Sequence, residues 1–199
     1  MGHQVIERQS ARKQRRILEE AERLFLRLGL RAASIEEIAA SAGVSKVTLY
    51  KHFGSKDDLF VECVRSVTDR HFAELHEEIA TVPSAAAKLS AVFSYNVRSR
   101  SRYQPAFIRD MMGIPRIWKR VRVFREEKAG SLITSILQQG IERREFRAMD
   151  LGHTTRIIMS FAEIVPTLYP YDDEQEAERF LQSLYAFLAG ALTYRQRRN

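Results

Sequence analysis

Apolar side chains recur every three or four positions along almost all of this 199-residue chain, and they almost never alternate with polar ones over the length of a strand. That spacing gives each segment one buried stripe at helical period, so the fold is expected to be all-α. Nine glycines and five prolines punctuate the chain into about nine helices. The first is expected over about residues 11–28, with Ile17, Leu18, Ala21, Leu24, Phe25 and Leu28 inward and Gly29 as a left-handed end. Ser34, followed three residues on by Glu37, caps a short second helix that Gly43 interrupts. A third helix starts at Ser45 and ends by Phe53-Gly54. The fourth opens at Ser55-Lys56-Asp57-Asp58 and carries Leu59, Phe60, Cys63, Val64 and Val67 on one stripe, to about Ala80. Further helices are expected over about 85–97, from Pro105 to Gly113, over about 116–143, from a cap at Asp150 to the Pro166–Pro170 region, and over about 173–195.

Charge and cysteine content narrow the partners. Thirty-two Lys and Arg face 25 Asp and Glu, a net +7, which favours an anionic partner such as nucleic acid or a membrane surface. The single cysteine, Cys63, excludes an intrachain disulfide and a Cys-based zinc site, and its apolar stripe marks it as a buried thiol. The charge-free stretch Ser183 to Tyr194 falls short of the roughly 20 apolar residues of a membrane helix. The first residues lack the apolar run of a signal peptide, so a cytoplasmic, membrane-free setting is expected. His71, Glu74 and Glu78 share a helix face but match no ligand motif, and are read as a solvated face rather than a metal site. No phosphate-cradling glycine loop, nucleophile elbow or paired acid and base occurs, so no cofactor and no catalytic residue is expected.

The informative stretch is Ser34 to Lys56, SIEEIAASAGVSKVTLYKHFGSK. Two short helices flank a tight turn at Gly43, Ala39 is small where they cross, and Ile38, Val44 and Leu49 form a local core. This is a helix-turn-helix pattern, whose second helix enters the major groove. Its outward residues are expected to be Ser45, Lys46, Val47, Thr48, Tyr50, Lys51 and His52, the donors, cations and methyl group that phosphates and base edges require.

At these residues the sequence resembles the TetR family of transcriptional regulators. The resemblance lies in the capped Ser34 helix, Ile38-Ala39, Gly43-Val44-Ser45-Lys46, Thr48-Leu49-Tyr50-Lys51-His52-Phe53 and Ser55-Lys56-Asp57-Asp58-Leu59, and covers about residues 12–65. It implies a three-helix DNA-binding domain over 1–55 and an effector-binding and dimerisation domain over 56–199. It also implies base contacts from Lys46, Val47 and Lys51, and phosphate contacts from Ser34, Thr48, Tyr50, His52 and Lys56. Val47 departs from the family, which often carries Gly or Ala there. Arg8, Arg12, Lys13, Arg15 and Arg16 precede the first apolar residue, either as a DNA-tracking arm or as a solvated tail.

The resemblance further implies a homodimer on a pseudo-palindromic operator, released by a small molecule, with repression as the sign. Phe180, Leu184, Phe187, Leu188, Ala191 and Leu192, facing Ile157, Phe161, Ile164 and Leu168, are the expected interface; the other reading is intrachain core. Tyr95, Phe107, Met111, Met112, Trp118, Val121, Phe124, His153 and Phe161 are the candidate pocket for a small amphipathic or apolar effector. Residues 95–128 hold ten Arg or Lys against three acids, fitting either an anionic effector or general attraction to DNA. The rival functions are an architectural or recombination-associated DNA binder and, more remotely, a small helical enzyme.

Overall fold

The structure is a computed structural model. It describes residues 8–99, 101–161 and most of 175–193 in full, and the backbone alone of 2–7, 100, 162–168, 174, 177, 178 and 181. Among the described residues there are nine helices and no strand: α1 Gly2–Ala32, α2 Ile35–Ser41, α3 Lys46–Phe53, α4 Lys56–Ala80, α5 Ala85–Arg100, α6 Pro105–Gly113, α7 Pro115–Glu142, α8 Leu151–Leu168 and α9 Glu174–Leu192. The all-α reading holds. α1 starts well before residue 11, because its Arg, Lys, Gln and Glu residues are good helix formers without belonging to any apolar stripe. Arg8, Arg12, Lys13, Arg15 and Arg16 are therefore exposed positions on a helix rather than an extended arm, and Arg15 pairs with Glu19 at 2.8 Å.

The chain forms two compact units, residues 1–70 with 102–124 and residues 71–101 with 125–199, the division falling inside α4 and α7. In the first unit α1 packs on α2, α3 and α6. Ile17, Ala21, Leu24 and Phe25 of α1 meet Ile38, Leu49, Phe60 and Phe107 in one core. Phe25 and Phe60 lie edge to face with centroids 5.1 Å apart, a preferred aromatic geometry. Cys63 is fully buried here, and loss of solvation pushes its thiol pKa up. At Gly29 the backbone takes φ 77°, ψ 175°, a region that only glycine adopts readily, and a Cβ there would lie 2.6 Å from Asp110 Oδ2. Asp110 of α6 is buried and accepts the Arg31 amide at 2.9 Å, which ties the end of α1 to α6. The first turn of α4 is tied to α7 by Asp57 with Arg116 and by Asp58 with Arg120, the latter at 2.7 Å.

In the second unit α5 packs on α9, and Leu75, Leu89, Phe93, Leu137, Phe146 and Ile158 form the centre of the core. Leu184, Leu188 and Leu192, expected to face a second copy, are instead buried in this core. They recur every fourth residue, the face of α9 turned to α5. Phe180 and Phe161 are half-buried against the same core, whereas Ile157, Phe187 and Ala191 point outward, with Phe187 67% exposed. The side chains of Ile164 and Leu168, also expected at the interface, lie outside the described residues. His71, Glu74 and Glu78 go to separate partners: His71 Nε2 lies 3.1 Å from Asn96 Oδ1, Glu74 accepts from the Tyr95 hydroxyl at 2.7 Å, and Glu78 pairs with Arg98.

Candidate nucleic-acid interface

The turn between α2 and α3 is closed by its own backbone. Gly43 N donates to Ala40 O at 3.0 Å and Val44 N to Ala39 O at 2.9 Å, with Gly43 at φ 64°. The Arg16 guanidinium lies against this glycine, 2.9 Å from where a Cβ would stand, but it is the far end of an exposed, flexible side chain, so the positive φ rather than space calls for glycine. Ser45 then caps α3 by accepting the Thr48 amide at 3.1 Å. Leu49 and Phe53, one turn apart, anchor the inner face of α3 in the core.

With that face fixed, helical geometry sends Lys46, Val47, Tyr50 and Lys51 outward together. Val47 is 79% and Tyr50 42% exposed, an apolar and an aromatic group held in water beside two cations. Thr48 and His52, also expected outward, are only half-exposed, because they flank the buried Leu49 and Phe53. The Ser45 and Thr48 hydroxyls are 3.0 Å apart and bond to each other. Lys56 is half-buried, with its ammonium 3.4 Å from the Arg31 carbonyl; burial pulls its pKa down, against the opposing pull of Asp57, Asp110 and Glu36.

Ser34 caps α2 by accepting the Glu37 amide at 3.3 Å, while the Glu37 carboxylate lies 3.6 Å from Arg27. The neighbouring Glu36, which the sequence reading does not single out, reaches across to α3. Its Oε1 accepts from Lys46 Nζ at 2.6 Å and its Oε2 from the Ser34 hydroxyl at 2.9 Å. The Lys46 bond, then backbone and Ser34 bonds, bring the Glu36 carboxyl down to about 2, and Lys46 is correspondingly raised.

The expected effector residues do not form one group. Phe107, Met111, Val121 and Phe124 are buried in the first core, with Met112 and Trp118 packed against it; Tyr95 and Phe161 belong to the second. His153 is exposed beside Asp150, which caps α8 by accepting the His153 amide at 2.7 Å. A cleft of about 300 Å³ in the first unit has Leu30 and Ile114 as apolar lining and Arg31, Lys56, Asp57 and Arg116 as polar lining. None of the nine expected residues lines it. Among the described residues no helix is long and apolar enough to cross a membrane.

An outward basic face on the second helix of a helix-turn-helix places the protein among the DNA-binding helix-turn-helix proteins. Residues 17–63 match the family model described as bacterial regulatory proteins, tetR family, so this N-terminal segment is a TetR-type DNA-binding domain. It is similar to the HTH-type transcriptional repressor KstR2 of Mycolicibacterium smegmatis, 26% identical over 195 residues that span 94% of each protein. It is also similar to the HTH-type transcriptional activator FasR of that species, 25% identical over 174 residues, 85% of this chain and 80% of FasR. In fold it resembles the regulator FadR from Bacillus subtilis in complex with stearoyl-CoA, with a TM-score of 0.69 and 17% identity over 89% of this chain and 98% of that one.

Proposed function

We propose that the protein is a ligand-responsive repressor that binds a pseudo-palindromic operator as a homodimer, through α3, and leaves it when a small molecule binds. The observation that carries this reading is the outward quartet Lys46, Val47, Tyr50 and Lys51 on a helix whose opposite face is locked into the core. In this reading Lys46, Val47 and Lys51 meet base edges, and Ser34, Ser45, Thr48, Tyr50, His52 and Lys56 meet phosphate. Residues 1–55 are then the reading domain and residues 56–199 the effector-binding and dimerisation domain. Dimerisation falls to the outward apolar groups of α8 and α9, among them Ile157, Phe187 and Ala191. Action on chromosomal DNA places the protein in the cytoplasm, and no catalytic role is proposed.

The effector class follows from two supports. The neighbouring FadR structure holds stearoyl-CoA, an anionic head on an apolar tail. Residues 95–128 of this chain hold ten Arg or Lys against three acids, a cationic excess that favours such a head even after Arg98, Arg116 and Arg120 pair with acids outside the segment. Release requires the effector to bind the non-reading conformation about 10⁴-fold better if it is to move the population from 1:99 to 99:1. We assign transmission to α4, which carries Lys56 at its start.

Selection of duplexes from a randomised pool tests the reading. The protein is expected to enrich an inverted repeat with half-sites about 10 base pairs apart. Lys51→Ala is expected to weaken binding to the enriched duplex by about 1–3 kcal/mol, and stearoyl-CoA is expected to release it. Enrichment of no sequence would point to the architectural alternative. Release by neutral or cationic apolar compounds, and not by an acyl-CoA, would overturn the effector class.

A further inference from the structure

We propose that Glu36 is a specificity-determining residue: in the free protein its carboxylate takes the place of a backbone phosphate between Ser34 and Lys46, and so keeps Lys46 from binding phosphates indiscriminately. The inference rests on the reading of α3 as the DNA-contacting helix. Both oxygens of one carboxylate are used, Oε1 by the Lys46 ammonium at 2.6 Å and Oε2 by the Ser34 hydroxyl at 2.9 Å. These are a cation and a hydroxyl donor, the pair of groups that a phosphate recruits from a protein surface. The helix dipole accounts for an acid in the first turn of α2, and Glu37 supplies one as well; it does not account for the choice of Lys46, ten residues on, as partner. Stability does not account for it either, since the Glu36 and Lys46 side chains are 65% and 54% exposed and such surface pairs contribute little.

The consequence follows from counterion release. A lysine strengthens binding to any DNA by neutralising a phosphate and freeing its counterions. While Lys46 is neutralised by Glu36, it adds nothing to that sequence-independent attraction. On the right sequence a base edge, such as the O6 and N7 of guanine, accepts the ammonium and compensates the broken pair; elsewhere the pair stays closed. Glu36 thus disfavours non-operator DNA more than operator. Its carboxyl, held near 2, stays ionised throughout the neutral range, so the competition is always present.

The test uses the full chain, as wild type, Glu36→Gln, Lys46→Gln and the double variant. Binding is measured by fluorescence anisotropy to a mixed-sequence duplex and to the duplex that the wild type enriches, between about 50 and 200 mM salt. Glu36→Gln is expected to tighten binding to the mixed duplex by about tenfold, and to steepen its salt dependence by about 0.9 log units per subunit. Binding to the enriched duplex should gain less, so the specificity ratio falls. The double variant should return to the wild-type slope on the mixed duplex. Equal changes on both duplexes with an unaltered slope, or a steep slope that persists in the double variant, would overturn the proposal. Failure of the wild type to enrich any duplex would overturn the DNA-recognition reading itself and this inference with it. Enrichment by the wild type with matching slopes for Glu36→Gln would overturn this inference alone. Glu36→Ala repeats the measurement without the amide, so a result peculiar to glutamine is recognised.

Discussion

Gly29 illustrates what one residue contributes. Its backbone, at φ 77° and ψ 175°, lies where a side chain is strained, and the space a Cβ needs is taken by Asp110 Oδ2 at 2.6 Å and the Ala106 carbonyl at 2.9 Å. Gly29→Ala is therefore expected to destabilise the protein by about 1–3 kcal/mol in urea denaturation; an unchanged midpoint would contradict the packing described. The sequence announced a left-handed helix end at this position, where α1 instead kinks with extended ψ and resumes to Ala32. It did not announce the carboxylate that closes it, because Asp110 is 79 residues from its Arg31 partner and has no local signature. Glu36 was not singled out in the sequence, although a local signal was there. Its place in a capped first turn follows from local spacing, whereas its bond to Lys46 depends on how the Gly43 turn brings α3 beside α2.

Elements were easier to read than the faces they bury. Capping serines at 34 and 45 and breakers at Gly43 and Gly54 marked the order and type of the first helices, since these signals act within one turn. α9 shows what periodicity leaves open. Apolar on several sides, it offers one face to α5 and another outward, and a pattern in one chain does not say which is which. The structure separates them, and the two faces should respond differently. Leu188→Ala removes a buried side chain and is expected to cost about 2–5 kcal/mol in thermal or chemical unfolding. Phe187→Glu changes a group 67% exposed, and is expected to leave helicity and melting largely intact while shifting sedimentation towards the monomer. A dimer that survives Phe187→Glu unchanged would remove this face from the proposed interface.

At the scale of the whole molecule, charges far apart in sequence decide the balance. The excess of ten cations over three acids in residues 95–128 reads as a free basic segment when counted along the chain. Folding gives Arg98 the carboxylate of Glu78, Arg116 that of Asp57 and Arg120 that of Asp58, none of them within the segment. These ties carry a pH dependence whose sign can be worked out. The Asp58 carboxyl is held below the ordinary range by the Ser55 hydroxyl first and then by Arg120, against the opposing effect of burial. A group depressed in the folded state stabilises it above the unfolded value of about 3.9 and loses that effect as the pH falls through the lower folded value. Asp58→Asn should therefore be less stable than the wild type at neutral pH, with the gap narrowing in acid; denaturation curves at pH 7 and at pH 3 make the comparison. A gap that stays constant would show that the carboxylate's charge is not what matters.

The sealed position of the single thiol has a practical outcome. Cys63 has no exposed surface, and its proton is held more tightly than in a free thiol, so maleimide and haloacetamide reagents should pass it by while the protein is folded. A fluorophore or spin label attached to an introduced surface cysteine would then report from one known place without any need to remove the native residue. Distances between two such labels, one on each α3 of the proposed dimer, would read the spread of its two helices directly.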